Sequence, residues 1–240
     1  MNRTAIDWCD FTYNPIFGCD GPEETGPCPY CYARALAPRI GAATGCELCA
    51  SFTPHFHEER VLQPLRRDKP SIIFCGSMTD LFGKRVEQAW RGAVWAIVEE
   101  SPQHTYCVLT KCPQNITLQD SQRTVYLDNL WVGVSAEDTA RFDLRCELLN
   151  HATPHPWLSA EPLLGELAVW DLLEFFEWVV VGADSRRGAE LPEAGWVTRL
   201  EEACEYWERP FFVKRNLAPV MGEAYIKAHQ AWPEEMKSNG

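Results

Sequence analysis

Residues 178–183 read WVVVGA, a stretch whose first four side chains are apolar without a break. A strand with one face in water alternates apolar and polar side chains. A strand buried on both faces does not alternate, and that is the pattern of a parallel sheet. Runs of the same kind recur at 12–18 (TYNPIFG), 71–77 (SIIFCGS), 105–110 (TYCVLT), 130–135 (LWVGVS), 155–160 (HPWLSA) and 210–215 (PFFVKR).

Helical periods separate the runs. Val86, Trp90, Val94 and Ile97 fall on one stripe, as do Ala140, Leu144 and Leu148, and Trp196, Leu200, Ala203 and Trp207. Strand and helix patterns in alternation indicate βα units. Seven strands in one chain predict an α/β fold, a complete or partial (β/α) TIM-type barrel. The runner-up, a doubly wound open sheet, lacks a glycine-rich dinucleotide fingerprint. No linker or repeat divides the chain, so residues 1–240 read as one barrel domain. Residues 41–70, irregular and rich in cysteine, histidine and proline, read as an inserted loop.

Composition narrows the function. With 46% hydrophobic residues and ten tryptophans among 240 residues, the chain can bury a large core. The net charge of -12 argues against a protein that coats nucleic acid, which needs many cationic contacts to phosphate. No apolar run reaches the ~20 residues of a membrane span. The first residues, MNRTAIDWCDF, lack the apolar stretch of a secretory signal, so the expected setting is cytoplasmic. Eleven cysteines, an odd number, do not suggest a disulfide framework there. Cys75, Cys107, Cys146 and Cys204 lie in apolar or helical patterns and read as core residues.

In parallel α/β folds, sites form at the carboxyl ends of the strands. Polar residues gather at those ends: Gly76, Ser77 and Asp80 after the second run, Thr110 and Lys111 after the third, Ser135 and Glu137 after the fourth, Ser159 and Glu161 after the fifth. Gly182, Asp184 and Ser185 follow the sixth, and Lys214 the seventh. Together they predict a shared polar pocket. Glu161, between an apolar strand and a proline, is a candidate base if partly desolvated, or a structural partner of Lys111 or Lys214. Trp131 and Trp157 could stack a base, although core packing is the ordinary role of tryptophan in such runs.

Cys19, Cys28 and Cys31 stand after the first run, in CDGPEETGPCPYC. Two inorganic sites suit them. Cys28-x2-Cys31 and Cys46-x2-Cys49 approach the double-knuckle spacing of a four-cysteine zinc site, the mark of a non-enzymatic, zinc-stapled binding module. Alternatively, Cys19, Cys28 and Cys31 hold three irons of a [4Fe–4S] cluster and leave the fourth open. Gly21, Pro22, Gly26 and Pro27 suit a loop wrapped round a cluster, and a helix starting near Cys31 would direct its dipole at the cluster's negative charge.

CPYCYAR resembles the end of the Cys-x3-Cys-x-aromatic-Cys motif of radical S-adenosylmethionine (SAM) enzymes, although eight residues separate Cys19 from Cys28. More widely, IDWCDFTYNPIFGC, CPYCYA, GSMTDLFG, VLTKCP, VGVSAED, LSAEPLLG, WVVVGADS and FFVKR resemble the uncharacterised phage-associated three-cysteine-motif proteins. Asp184 stands where that family usually has glutamate. The resemblance implies a radical-SAM-like barrel with Cys19, Cys28 and Cys31 on the cluster. It implies that Tyr30, Gly76, Ser77, Asp80 and Ser135 lie about SAM, and that Lys111, Glu137, Glu161, Asp184 and Lys214 serve the chemistry. The implied reaction is cleavage of cluster-bound SAM to a 5′-deoxyadenosyl radical. It would need a reducing electron donor and a small-molecule or nucleotide-type substrate, in a bacterial host's cytoplasm if the protein is phage-encoded.

Overall fold

Six of the seven apolar runs each lie on one strand of the computed structural model, which describes residues 1–149, 153–168, 170 and 173–237, and the run at 12–18 is divided between two short strands of different sheets. In chain order the strands are β1 (Asn2–Arg3), β2 (Phe11–Tyr13), β3 (Ile16–Phe17), β4 (His55–Phe56), β5 (Ile72–Cys75), β6 (Thr105–Thr110), β7 (Leu130–Ser135), β8 (His155–Ala160), β9 (Trp178–Val181) and β10 (Phe211–Val213). The helices that matter below are α1 (Tyr32–Thr44), α2 (Glu47–Ala50), α3 (Gln88–Glu100), α4 (Leu118–Thr124), α5 (Thr139–Leu149) and α6 (Ala194–Tyr206).

Eight strands form one sheet in the order β1-β2-β5-β6-β7-β8-β9-β10, parallel throughout except for the antiparallel β1. The connections between successive neighbours place α3, α5 and α6 on a common face. Alternate strand residues Ile73, Tyr106, Val132, Leu158, Val179 and Val213 share one core with Val94, Phe142, Val197 and Leu200 of α3, α5 and α6. The residues between them, Phe74, Cys107, Trp131, Trp157, Trp178 and Phe212, form a second, aromatic core on the other face. Trp8 from the amino end and Trp232 and Met236 from the carboxyl end pack into it. Trp131 and Trp157 are thus core residues, 1% and 0% exposed, and do not present a stacking surface.

A closed barrel does not form: among the described residues no ladder joins β10 to β1 or β2. The edges show why. β1 runs antiparallel along the free side of β2, and the chain returns along β10, with Val213 N donating to the His229 carbonyl (2.7 Å) and Ala231 N to that of Phe211 (3.1 Å). Both flanks of the parallel sheet are therefore already hydrogen-bonded.

Two further expectations need correction. On α5 the stripe Ala140–Leu144 faces water, with Leu144 half exposed. The buried side is Phe142, Arg145, Cys146 and Leu149, and the Leu148 side chain lies outside the described residues. Arg145 turns inward because a carboxylate waits for it, as the site shows. Residues 41–70 are not a loop: they hold the end of α1, all of α2, and β4, which pairs antiparallel with β3. Cys75, Cys107, Cys146 and Cys204 are buried as expected, and none of the eleven cysteines is in a disulfide.

Candidate functional site

The carboxyl ends of the strands open into a cavity of about 560 Å³, within the range of small-molecule sites. Cys19, Cys28, Tyr30 and Cys31 form part of its wall, and Gly76, Ser77 and Asp80 another part. Lys111, Ser135, Glu161, Asp184 and Lys214 complete the set that the strand ends suggest. Two of that set, Gly182 and Glu137, do not line the cavity. Glu137 lies behind the wall, 1% exposed, held by two residues that do.

The local fold explains this convergence. β3 leads through Gly18 to Cys19, and the loop then returns to Cys31, which is the N-cap of α1 and accepts a hydrogen bond from Arg34 N at 3.3 Å. Gly21 N donates to Cys19 Sγ at 3.2 Å. Long-range bonds pin the loop to the sheet. The Tyr30 hydroxyl donates to Glu137, Arg145 Nη2 to Glu24 (3.2 Å), Arg85 Nε to Asp20 (2.6 Å), Arg186 Nη1 to the Pro29 carbonyl (2.9 Å) and Arg34 Nη2 to that of Cys19 (2.6 Å). Burial pushes the Cys19 thiol up to about 12, with the Asp80 charge adding to it, and burial likewise raises Cys28. Such thiols keep their protons near neutral pH unless a metal takes their place.

The ionisable residues are paired. Glu137 accepts from Lys111 Nζ, the Tyr30 hydroxyl and Arg145 Nη1, the last at 2.9 Å. Burial alone would raise the Glu137 carboxyl, but the Lys111 and Arg145 charges outweigh it and hold it below the ordinary range. The Lys111 ammonium also lies 5.4 Å from the centre of the Tyr30 ring. Lys214 is ion-paired with Glu161, which is the structural alternative anticipated for that carboxylate. Arg186 forks onto Asp184 at 2.6–3.1 Å, and its bond holds the Asp184 carboxyl low.

Asp80 does not present a free carboxylate. It accepts from Thr110 Oγ1 (2.7 Å), Lys111 N (2.8 Å) and Phe82 N (3.0 Å), tying the end of β5 to that of β6. Ser77 is similarly engaged, exchanging hydrogen bonds with the Asn14 amide at 3.0 and 3.2 Å. Gly182 keeps the Glu161–Lys214 pair in place. A Cβ there would sit 2.9 Å from Glu161 Oε1 and 3.0 Å from Lys214 Cδ. Gly182→Ala is therefore expected to push the movable ends of these two side chains aside and to lower unfolding free energy in urea by less than about 1 kcal/mol.

A second cluster was only half legible. Cys46 and Cys49 do not join Cys28 and Cys31. They meet His55 and His57, and the four ligand atoms all lie within 4.8 Å of one another. A Cys/His cluster of this composition could bind a metal, and zinc is its natural occupant. The spacing Cys-x2-Cys-x5-His-x-His was visible in the sequence. Residues two apart on an extended segment share a face, so His55 and His57 were a detectable pair.

No helix among the described residues is long and apolar enough to cross a membrane. A family model described as a protein of unknown function, DUF5131, matches residues 3–230. No curated protein and no solved structure matches the chain.

Proposed function

The chain belongs to the DUF5131 family, whose description names no activity, so we propose a function from the residues themselves: the strand-end cavity is the active site of a radical-SAM-like iron–sulfur enzyme. One observation carries this reading. Three thiols from a single loop share one cavity with polar residues from successive strand ends. The donor set suits the cluster, since thiolates are the usual ligands of iron–sulfur centres and a third-row sulfur suits them better than hard oxygen donors would. Cys19, Cys28 and Cys31 would hold it, and three protein ligands leave one iron of a [4Fe–4S] cube for SAM. When bound, such a cluster supplies the electron that cleaves the SAM sulfonium bond.

The remaining residues hold and orient. Glu137 fixes Tyr30 and Lys111 against the thiol loop, so the ring beside Cys31 keeps one position. Gly76 and Ser77 offer close backbone approach at the end of β5, and the Glu161–Lys214 pair presents both charges to a polar ligand on the opposite wall. The architecture proposed with this chemistry is a partial (β/α) barrel forming a single domain. The kinship with phage three-cysteine proteins, a cytoplasmic setting, a reducing partner and a base- or nucleoside-like substrate rest on the resemblance of the quoted segments.

The competing reading is a non-enzymatic module in which the Cys/His cluster holds the only metal, and that cluster's compact geometry favours it. Incubating anaerobically reconstituted protein with SAM and dithionite separates the two. The enzyme reading expects 5′-deoxyadenosine to accumulate. A colourless, zinc-containing protein that binds no iron and releases none of this product supports the module.

A further inference from the structure

We infer that Cys46, Cys49, His55 and His57 bind a single zinc ion in a closed structural site, and that this ion braces the wall on which the three-thiol loop stands. A tetrahedral zinc with Zn–S near 2.3 Å and Zn–N near 2.0–2.1 Å sets S···N separations of about 3.6 Å and an N···N separation of about 3.3 Å. The fold places Cys46 Sγ 3.5 Å and Cys49 Sγ 3.4 Å from His55 Nε2, and Cys49 Sγ 3.2 Å from His57 Nε2. The two Nε2 atoms are 2.9 Å apart.

The outer partners of the two imidazoles suit a metal site as well. His55 Nδ1 lies 2.7 Å from the Thr53 carbonyl, which can only accept, so that nitrogen carries the hydrogen. His57 Nδ1 lies 2.8 Å from a Glu59 carboxylate oxygen and does the same. With those hydrogens on Nδ1, both rings turn Nε2, the nitrogen a metal would take, toward each other and toward the two sulfurs. Thr53 and Glu59 are also the kind of outer partners that fix metal-bound histidines. Four protein ligands leave no open position, which distinguishes a structural zinc from a catalytic one.

The coupling to the thiol loop is direct. β3 pairs with β4 through Ile16–Phe56 and Phe17–His55. The Phe17 ring lies 5.8 Å from that of Phe52, 5.9 Å from His55 and 6.4 Å from His57. Gly18, with φ of 91°, passes so close to the Thr53 carbonyl that a Cβ would sit 2.4 Å from it, and Cys19 follows at once. On the other side, Arg34 lies over the Phe52 ring at 5.0 Å while bonding the Cys19 carbonyl. Segment 46–57 contains a four-residue helix and a two-residue strand, packed on a small core of Phe17, Ala33, Ala37, Phe52 and Met78 that a metal cross-link would reinforce.

Metal analysis of the full chain tests the proposal without iron or SAM, so its outcome is separable from that of the enzyme reading. Wild type and a Cys19→Ala/Cys28→Ala/Cys31→Ala variant should each contain one zinc, and Cys49→Ala/His57→Ala should lose it. If that double variant does not fold, cobalt-substituted wild type still decides, because two thiolates and two imidazoles give the intense visible bands of tetrahedral cobalt(II). Chelating the zinc from cluster-free protein should also speed alkylation of Cys19 and Cys31 by about tenfold as the wall loosens. Zinc-free wild type without the tetrahedral cobalt bands, zinc kept by the double variant, or zinc lost with the three loop cysteines would overturn the site. An unchanged alkylation rate would overturn the bracing role.

Discussion

Cys31→Ala protein, purified without oxygen and supplied with iron and sulfide, is expected to hold essentially no iron, against about four irons per chain in wild type. The loss should be nearly complete because a cluster that has given up one corner to SAM has only three protein anchors. On that reading Cys31 would be an anchor set by the backbone: it caps α1, and its sulfur accepts from Arg34 N. Cys19→Ala and Cys28→Ala should behave alike. A Cys49→Ala variant that still folds should keep its iron, because Cys49 belongs to the other cluster. Colorimetric iron and sulfide assays read the result. Wild-type iron content in Cys31→Ala would mean that the metal sits elsewhere.

Glu137→Ala is expected to destabilise the fold by about 3–5 kcal/mol, as removal of one member of a buried ion pair does. Arg145, 2% exposed, would keep only the Ser135 carbonyl and the partly exposed Glu24, and Lys111 and Tyr30 would lose their shared acceptor. Glu137→Gln keeps the shape but removes the charge, so a smaller loss is expected. The pH dependence has a definite sign. A carboxyl whose folded pKa is depressed contributes stability above its unfolded value, near 4.3, and that contribution disappears as pH falls through the folded value. Wild type should therefore lose urea resistance below about pH 4, and Glu137→Gln should show a shallower acid slope. Identical slopes would remove Glu137 from the account of acid stability.

Much of this fold is visible in local pattern. LWVGVS, HPWLSA and TYCVLT become β7, β8 and β6 with the bounds their apolar runs suggest, because burial on both sheet faces leaves an unbroken run. β1 and β4, two residues each, carry no period to detect. Barrel closure was illegible for a different reason. It depends on what covers the two flanks, and here β1 and residues 229–231, far apart in sequence, cover both.

The site shows the same division. Strand-end polarity located the cavity, yet it could not say which charges face each other. The Arg145–Glu137 bond turns α5 so that Leu144 is left outside, a choice between a leucine and a buried cation that hydrophobic periodicity cannot express. Asp80, which resembles a ligand for a cationic group, is spent on three structural hydrogen bonds. The Cys46–Cys49 pair was legible as a metal half-site, but its partners came from β4 and the residue after it. The spacing marks His55 and His57 as a pair, but a strand so short gives no warning that they face Cys46 and Cys49 at α2.

Electron paramagnetic resonance of the reduced, anaerobically reconstituted protein, recorded before and after SAM is added, addresses the strand-end site most directly. A cluster held by Cys19, Cys28 and Cys31 with one iron free should give a reduced-cluster signal whose shape changes when SAM takes that iron. No iron–sulfur signal, or one that SAM leaves untouched, would contradict it.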